Sequence, residues 1–346
     1  MKAVHRPVVT LCRCRTRPFS TAPSPSAIAS SLTSRPAKHI PDALSPTPSH
    51  LLNITLADLL PSIPAPVSPH QQTQPLPQGH HLVYFPIQTP PSRLAPDGAD
   101  LDHWPGPPFH RRMWAAGEVK FRDGWADKMV LDGRRAKCVE KIEEVNVKGE
   151  GNRQKVFVDV WRRYGLSDHA ETEEWPIEER RTLVFMPKEE EAAQLKTPST
   201  PKTIKCKILL SMWKSKLTNT CADPHQPTAT YTLKPSTHHL FHFSALSFNA
   251  HLIHLDPAYC RSIDGHRNLL VHGPLTLSIM LRVISAHIPK NTAVKSIVYR
   301  NHAPLYVDEE MRICVRKLET EGKWDVWVEG PNGGLAVRST VIVGAN

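Results

Sequence analysis

The sequence has no apolar run long enough to cross a lipid bilayer, which takes about 18 consecutive apolar residues. Its most apolar stretch, Pro274 to Ile288, is interrupted by three hydroxyl side chains, an arginine and a histidine. An ordinary transmembrane protein is therefore excluded. Hydrophobic residues still make up 40% of the 346 residues, which is enough to bury a sizeable core, and the length favours about two domains.

Paired cysteines and the common cofactor motifs are also missing. The seven cysteines are widely spaced without a C-x-x-C pair, which is typical of reduced thiols. The sequence contains no G-x-G-x-x-G or P-loop for a nucleotide, no H-E-x-x-H for a metal and no G-x-S-x-G for a serine nucleophile. It therefore predicts no cofactor and no bound metal.

Acidic residues are absent from residues 1–41, which hold seven of the lysines and arginines. The net charge of the chain is +10, so the remainder carries only +3, which argues against a nucleic-acid-binding face. An acid-free terminus rich in Arg, Ser and Thr is typical of an organelle transit peptide. We predict a mitochondrial transit peptide and disordered tail over residues 1–40, with cleavage near Phe19–Ser20. A basic tail without an address is the alternative.

Proline and strand patterns divide the rest of the chain. Twenty-one of the 33 prolines lie in the first 110 residues, which predicts extended and loop-like structure there. Residues 41–187 form the first predicted unit, residues 188–235 a linker or insertion, and residues 236–346 the second unit. In the first unit we expect a short helix from Pro107 to Ala116. Apolar alternation then predicts strands at Ala136–Val147, Lys155–Arg162 and Arg181–Met186.

The second unit has a clearer pattern. Pro274 to Ile288 is apolar almost all round, which predicts a helix buried on most sides. After this helix, strands are predicted over Val294–Tyr299, Met311–Leu318, Trp324–Glu329 and Leu335–Val343. A tight turn at Pro331–Gly334 joins the last two. A helix followed by an antiparallel sheet is an α+β arrangement. The first unit resembles a reduced copy of it.

Candidate catalytic residues cluster near the start of the second unit. Asn249, His251 and His254 fall within six residues and could face one pocket from a strand end or a turn. Histidine moves protons near neutral pH, whereas asparagine only holds a hydrogen bond. Gly273 precedes a helix N-terminus, where free N–H groups can polarise a carbonyl oxygen. This set suits chemistry beside a thioester carbonyl. The alternatives are a structural histidine that is hydrogen-bonded within the core, and a metal site.

Two segments carry a resemblance to a known family. Phe243 to Tyr259, with Val271 to Leu275, resembles the MaoC-type hot-dog dehydratases and hydratases. The nearest branch is the fungal mitochondrial hydroxyacyl-thioester dehydratase type 2, which includes mesaconyl-C4-CoA hydratase-like proteins. Matching segments follow in order at Pro105–Trp114, Tyr299–Tyr306 and Trp327–Gly334. The resemblance implies an α+β double hot-dog, with two antiparallel sheets each wrapping a central helix and only the second half catalytic.

The resemblance also implies an activity and residue roles. It implies a hydro-lyase of mitochondrial fatty-acid synthesis, in the matrix, which dehydrates (R)-3-hydroxyacyl thioesters and reversibly hydrates 2-enoyl thioesters. His254 matches the catalytic histidine of D-x-N-P-x-H, Asn249 stands at its aspartate, and His251 replaces its asparagine. Gly273 is expected to bind the carbonyl through its backbone N–H. His251 and His272 are expected to support the site.

Partners and alternatives follow from the same resemblance. The expected partners are acyl carrier protein or CoA thioesters, without nucleic acid, and a homodimer stays open. Arg261, Arg267 and Arg300 are the candidate carrier contacts. The first alternative is a hydratase for mesaconyl- or itaconyl-type short-chain CoA thioesters. The second is a non-catalytic hot-dog protein that binds acyl thioesters, since Asn249 replaces the usual acid.

Overall fold

A computed structural model describes residues 24–66, 73–187 and 226–345. The strands are β1 Lys38–Ala43, β2 Arg111–Phe121, β3 Arg135–Lys148, β4 Lys155–Leu166, β5 Ile177–Met186, β6 Ala229–Leu233, β7 Thr292–Asn301, β8 Met311–Lys317, β9 Lys323–Glu329 and β10 Leu335–Ala345. The helices are α1 Pro25–Thr33, α2 Pro46–Ala57, α3 Trp125–Lys128, α4 Thr237–Leu246, α5 Pro257–Ser262 and α6 Gly273–Ser285. None of these helices is long and apolar enough to cross a membrane.

The ten strands form one antiparallel sheet in the order β1-β3-β4-β5-β2-β7-β10-β9-β8-β6. The expectation of two separate sheets is wrong, because β2 and β7 pair directly from Ala116↔Arg300 to Lys120↔Ser296. This pairing satisfies backbone groups that two separate sheets would leave at open edges. The outer edges of the joined sheet are the two short strands β1 and β6.

The same strand order occurs in both halves. Outward from the junction, the first half runs β2-β5-β4-β3-β1 and the second runs β7-β10-β9-β8-β6. In each half the first strand of the chain lies at the outer edge and the second lies at the junction. This repeated order agrees with the internal duplication expected from the sequence.

Helix α6 is the central helix of the second half. Nine of its residues are buried, on all of its faces, as the apolar pattern predicts. It begins at Gly273 with Pro274 in its first turn and ends at Ser285, three residues before the predicted end. Proline suits this position because the first helical N–H groups have no acceptor within the helix. The helix packs against β8 and β9, and its first residue, Gly273, lies against Trp114 of β2.

The first half contains no counterpart of α6 among the described residues. The expected helix from Pro107 to Ala116 is wrong, because Arg111–Phe121 is strand β2. The position inside the sheet is taken by the 3-10 turn His80–Val83, which also contacts α6. The prediction that each half wraps a central helix therefore holds only for the second half.

Part of the expected tail and part of the expected linker are ordered. Helix α1 packs Ile28 and Leu32 into an apolar cluster with β3 and β4, and β1 pairs with β3. Residues 25–40 are thus not a disordered tail. Strand β6 lies within the predicted linker and pairs with β8. The predicted cleavage site near Phe19–Ser20 and most of the linker lie outside the described residues.

Candidate active site

His254 lies on a short turn between α4 and α5, not at a strand end. The 3-10 turn Leu252–His254 follows the extended backbone of His251. The His254 ring is buried, and its Nδ1 lies 2.8 Å from the carbonyl oxygen of Leu270. A carbonyl can only accept, so Nδ1 carries the hydrogen and Nε2 keeps its lone pair. Since His254 also lines the central cavity, this arrangement presents a base to a ligand there.

His272 supports the His254 ring. The two rings stack with centroids 3.7 Å apart and planes 21° apart. The His272 ring is fully buried, and its Nε2 lies 2.8 Å from Oγ of Ser244 on α4. His272 therefore fixes the position of His254 from behind and does not face the cavity.

Both stacked histidines are held neutral. Burial lowers the pKa of His254 to about 3, and the neighbouring His251 and Arg112 lower it further. The hydrogen bond to the Leu270 carbonyl raises the pKa but does not offset these effects. Burial also lowers the pKa of His272 well below its ordinary value, and His254 and His251 lower it further. At pH 7 the His254 ring is therefore unprotonated, with a lone pair on Nε2.

Asn249 and His251 complete the part of the site predicted from the sequence. The Asn249 side-chain oxygen accepts a hydrogen bond from the backbone N–H of His251 at 3.1 Å. The amide N–H groups and the second lone pair of the oxygen are then left for a ligand. The His251 ring meets the edge of His254 with centroids 5.9 Å apart. Both Asn249 and His251 line the cavity.

Asp97, in the first half, belongs to this site and was missed from the sequence. Its Oδ2 lies 3.4 Å from Nε2 of His251. Its backbone oxygen accepts a 2.8 Å hydrogen bond from the N–H of Leu252. Gly98 follows with φ +77°, and a Cβ there would lie 2.0 Å from the carbonyl oxygen of Ala250. No local motif marks Asp97, because it lies about 150 residues before its partner.

Gly273 opens α6 against a tryptophan from the first half. The Trp114 side chain comes within 3.5 Å of the place where a Gly273 Cβ would stand. Nε1 of Trp114 donates to the Tyr299 hydroxyl at 2.9 Å, across the β2–β7 junction. Gly273 lines the cavity, and the first N–H groups of a helix point away from it without acceptors of their own. The start of α6 thus presents helix N–H groups to the cavity beside an aromatic ring.

The cavity that joins these residues has a volume of about 1020 Å³. Both halves line it, and its apolar wall includes Leu82, Phe85, Leu183, Ile253 and Val271. This volume lies at the upper end of ordinary small-molecule sites.

Of the three arginines considered as carrier contacts, only Arg300 lines the cavity. Arg267 is paired with Glu309, and Arg261 donates to the carbonyl oxygen of Pro257. Arg153 and Lys155 line the cavity as well and were not predicted. Among the described residues, no group of three or more His, Cys, Asp or Glu side chains could hold a metal ion.

Comparison with known proteins finds a family and individual relatives. The profile of the family described as "Hydroxyacyl-thioester dehydratase type 2" matches residues 79–307. The chain is 26% identical, over 82% of its length and 90% of the relative, to "Hydroxyacyl-thioester dehydratase type 2, mitochondrial" of Schizosaccharomyces pombe. It is 28% identical, over 78% of its length and 84% of the relative, to "Mesaconyl-C(4)-CoA hydratase" of Chloroflexus aurantiacus.

A solved structure shares the fold. The MaoC-like dehydratase from Phytophthora capsici superposes with a TM-score of 0.57 at 12% identity, covering 91% of this chain and 98% of that one. At this identity the likeness concerns the fold alone, and it agrees with a hot-dog arrangement.

Proposed function

Because the chain belongs to the hydroxyacyl-thioester dehydratase type 2 family, it is a hydro-lyase, and we propose that His254 is its catalytic base. The reaction removes water from (R)-3-hydroxyacyl thioesters and, in reverse, hydrates 2-enoyl thioesters. One observation carries the assignment of the base. The Nδ1–H of the buried His254 is held by the Leu270 carbonyl, which leaves Nε2 as the lone-pair atom of a cavity-lining ring.

The thioester carbonyl is bound at the start of α6. Removing a proton from C2 places negative charge on the carbonyl oxygen, and a helix N-terminus stabilises such charge. The backbone N–H of Gly273 is the proposed donor. The position of Trp114 over Gly273 supports this role, because an aromatic wall excludes water and strengthens the electrostatic interaction.

A single histidine can complete the elimination. Nε2 of His254 takes the C2 proton, and the electron pair of the C2–H bond forms the enolate. The enolate then forms the C2–C3 double bond as the C3–O bond breaks. The leaving hydroxyl takes the proton back from His254 and departs as water. Asn249 positions the hydroxyl through its amide N–H groups, while its oxygen holds the His251 N–H.

The cellular setting follows the same family reasoning. The acid-free basic terminus and the name of the S. pombe relative support a mitochondrial location, and we place the enzyme in the matrix, in fatty-acid synthesis. Acyl carrier proteins are acidic, and the cavity-lining cations Arg153, Lys155 and Arg300 suit such a carrier. A short-chain CoA thioester of the mesaconyl type is the second candidate substrate, favoured by the similarity to the C. aurantiacus hydratase.

The test is a hydration assay on the protein from residue 20 onward, with and without His254→Ala. Loss of enoyl-thioester absorbance is followed on crotonyl, longer 2-enoyl and mesaconyl thioesters, each on CoA and on acyl carrier protein. We expect turnover that falls at least about 100-fold in the variant, as for a positioned acid–base group. Turnover retained by His254→Ala would refute the assignment of the base. No turnover by folded protein on any substrate would favour the non-catalytic binding protein.

A further inference from the structure

The water that adds in the hydration direction has two hydrogens, and both must point to acceptors so that an oxygen lone pair faces C3. Nε2 of His254 is one such acceptor. One lone pair of the Asn249 oxygen already holds the His251 N–H, and the amide nitrogen of Asn249 can only donate.

The ring of His251, which lines the same part of the cavity, can supply the second acceptor. Its Nε2 faces the Asp97 carboxylate at 3.4 Å, which is long for a hydrogen bond but within the range that tightens when a ligand binds. An ionised carboxylate only accepts, so the nitrogen that faces it carries the hydrogen. Nδ1 of His251 is then the lone-pair nitrogen of a ring that lines the cavity.

We infer that Asp97 of the first half is a positioning residue that fixes the His251 tautomer, so that Nδ1 of His251 holds the hydroxyl or water hydrogen during the reaction. This inference rests on the proposed function. The proton balance stays as above, because His254 carries the transferred proton while His251 only accepts a hydrogen bond. The first half thus supplies part of the active site and does not act only as a scaffold.

Two backbone features hold Asp97 in place for this role. The Leu252 N–H bonds to the Asp97 carbonyl at 2.8 Å, and Gly98 packs directly on the Ala250 carbonyl. Ala99 N–H donates to the other carboxylate oxygen of Asp97 at 3.0 Å. The carboxylate is therefore tied at one oxygen, and its second oxygen faces His251.

The neighbouring charged side chains have partners of their own, so Asp97 is the carboxylate that faces His251. Arg112 pairs with Asp100 at 3.1 Å, and Asp264 faces His266 at 3.4 Å. Burial raises the pKa of Asp97, but the contact with His251 and the charge of Arg112 more than offset it, so the net shift is downward. Asp97 stays ionised at neutral pH, which keeps it a pure acceptor.

The experiment combines Asp97→Asn with His251→Gln in the hydration assay. The side-chain amide introduced by Asp97→Asn can present an N–H to His251 and reverse its tautomer. We expect Asp97→Asn to lower kcat about 100-fold, the lower end for positioned acid–base groups, with KM changed less than about threefold. On the His251→Gln background the same change should cost less than about twofold, because Asp97 acts only through His251.

A second readout and a matched control separate this role from a structural one. In ¹⁵N-histidine spectra, we expect Nδ1 of His251 to be unprotonated in the wild type and protonated in Asp97→Asn. Glu173→Gln removes a carboxylate 3.6 Å from His169, away from the cavity, and should leave kcat unchanged. An unaltered tautomer, or an equal loss of kcat in both backgrounds, would overturn the inference. If wild-type protein hydrates no thioester, the proposed function fails, and the spectra still test the tautomer.

Discussion

Replacing Gly98 by alanine displaces the catalytic turn by a predictable distance. A Cβ at this position would lie 2.0 Å from the Ala250 carbonyl oxygen, and real Cβ contacts essentially never fall below 3.0 Å. The two backbones must therefore separate by about 1 Å. Since Ala250 stands between Asn249 and His251, the turn that carries the proposed catalytic groups moves with it. A misplacement of about 1 Å can cost about 100-fold in rate.

Alanine at position 98 would also be strained by the left-handed backbone. This strain lowers the free energy of unfolding by about 1–2 kcal/mol, as it does for alanine at other left-handed positions. Gly133→Ala isolates this strain, because Gly133 has φ +86° but nothing within 4 Å of the added Cβ. On the best enoyl thioester, we expect the kcat/KM of Gly98→Ala to be about 100-fold lower than that of Gly133→Ala. Circular dichroism should show that both proteins are folded. Equal activity in the two variants would refute the proposed coupling between Gly98 and the catalytic turn.

Two further outcomes follow from the described residues. Burial lowers the pKa of His80 and His254 to about 3 and that of His81 to about 4, so below pH 6.5 the unfolded chain binds protons that the folded one does not. We expect urea denaturation to give a lower free energy of unfolding at pH 5.5 than at pH 7.5, by about 1 kcal/mol per histidine; equal values would contradict it. Gly273→Ala should lower kcat at least about tenfold by crowding the carbonyl site with an unchanged melting temperature, because the new methyl meets Trp114 at an ordinary 3.5 Å. Gly334→Ala, with open space around its Cβ, is its control, and equal losses in both would count against the carbonyl site.

Elements with a strong local pattern could be predicted from the sequence. Strand β3 extends one residue beyond each predicted end, and α6 starts one residue before its predicted start. In β3 the apolar residues alternate, and in α6 they lie on all faces. Each pattern shows which faces are buried, and the residues that carry it lie within the element itself. The sequence does not predict strand β2, because its Arg-Arg-Met-Trp-Ala-Ala start lacks alternation and most of its residues are only partly buried. Its pairing with β5 and β7 decides its structure, and that pairing is non-local.

The same division between local and non-local signals applies to the active site. Asn249, His251, His254 and Gly273 lie within 25 residues, and the sequence brings them together as candidates that line the cavity. Asp97 and Trp114 come from loops and strands of the other half, joined to the site through the β2–β7 pairing. No spacing rule along the chain connects residues that meet only after the two halves associate.

The joined sheet also determines where another protein chain could add to it. Pairing of β2 with β7 joins the two inner edges, so among the described strands only β1 and β6 lie at an outer edge of the sheet. Strand β6 has five residues, and β1 has six with Pro41 among them. Short edges and an edge proline oppose strand addition, which is the first step of β-aggregation. Cutting the chain between the halves would instead expose the ten-residue edge of β7, so the separated halves should be prone to aggregate whereas the intact chain resists it.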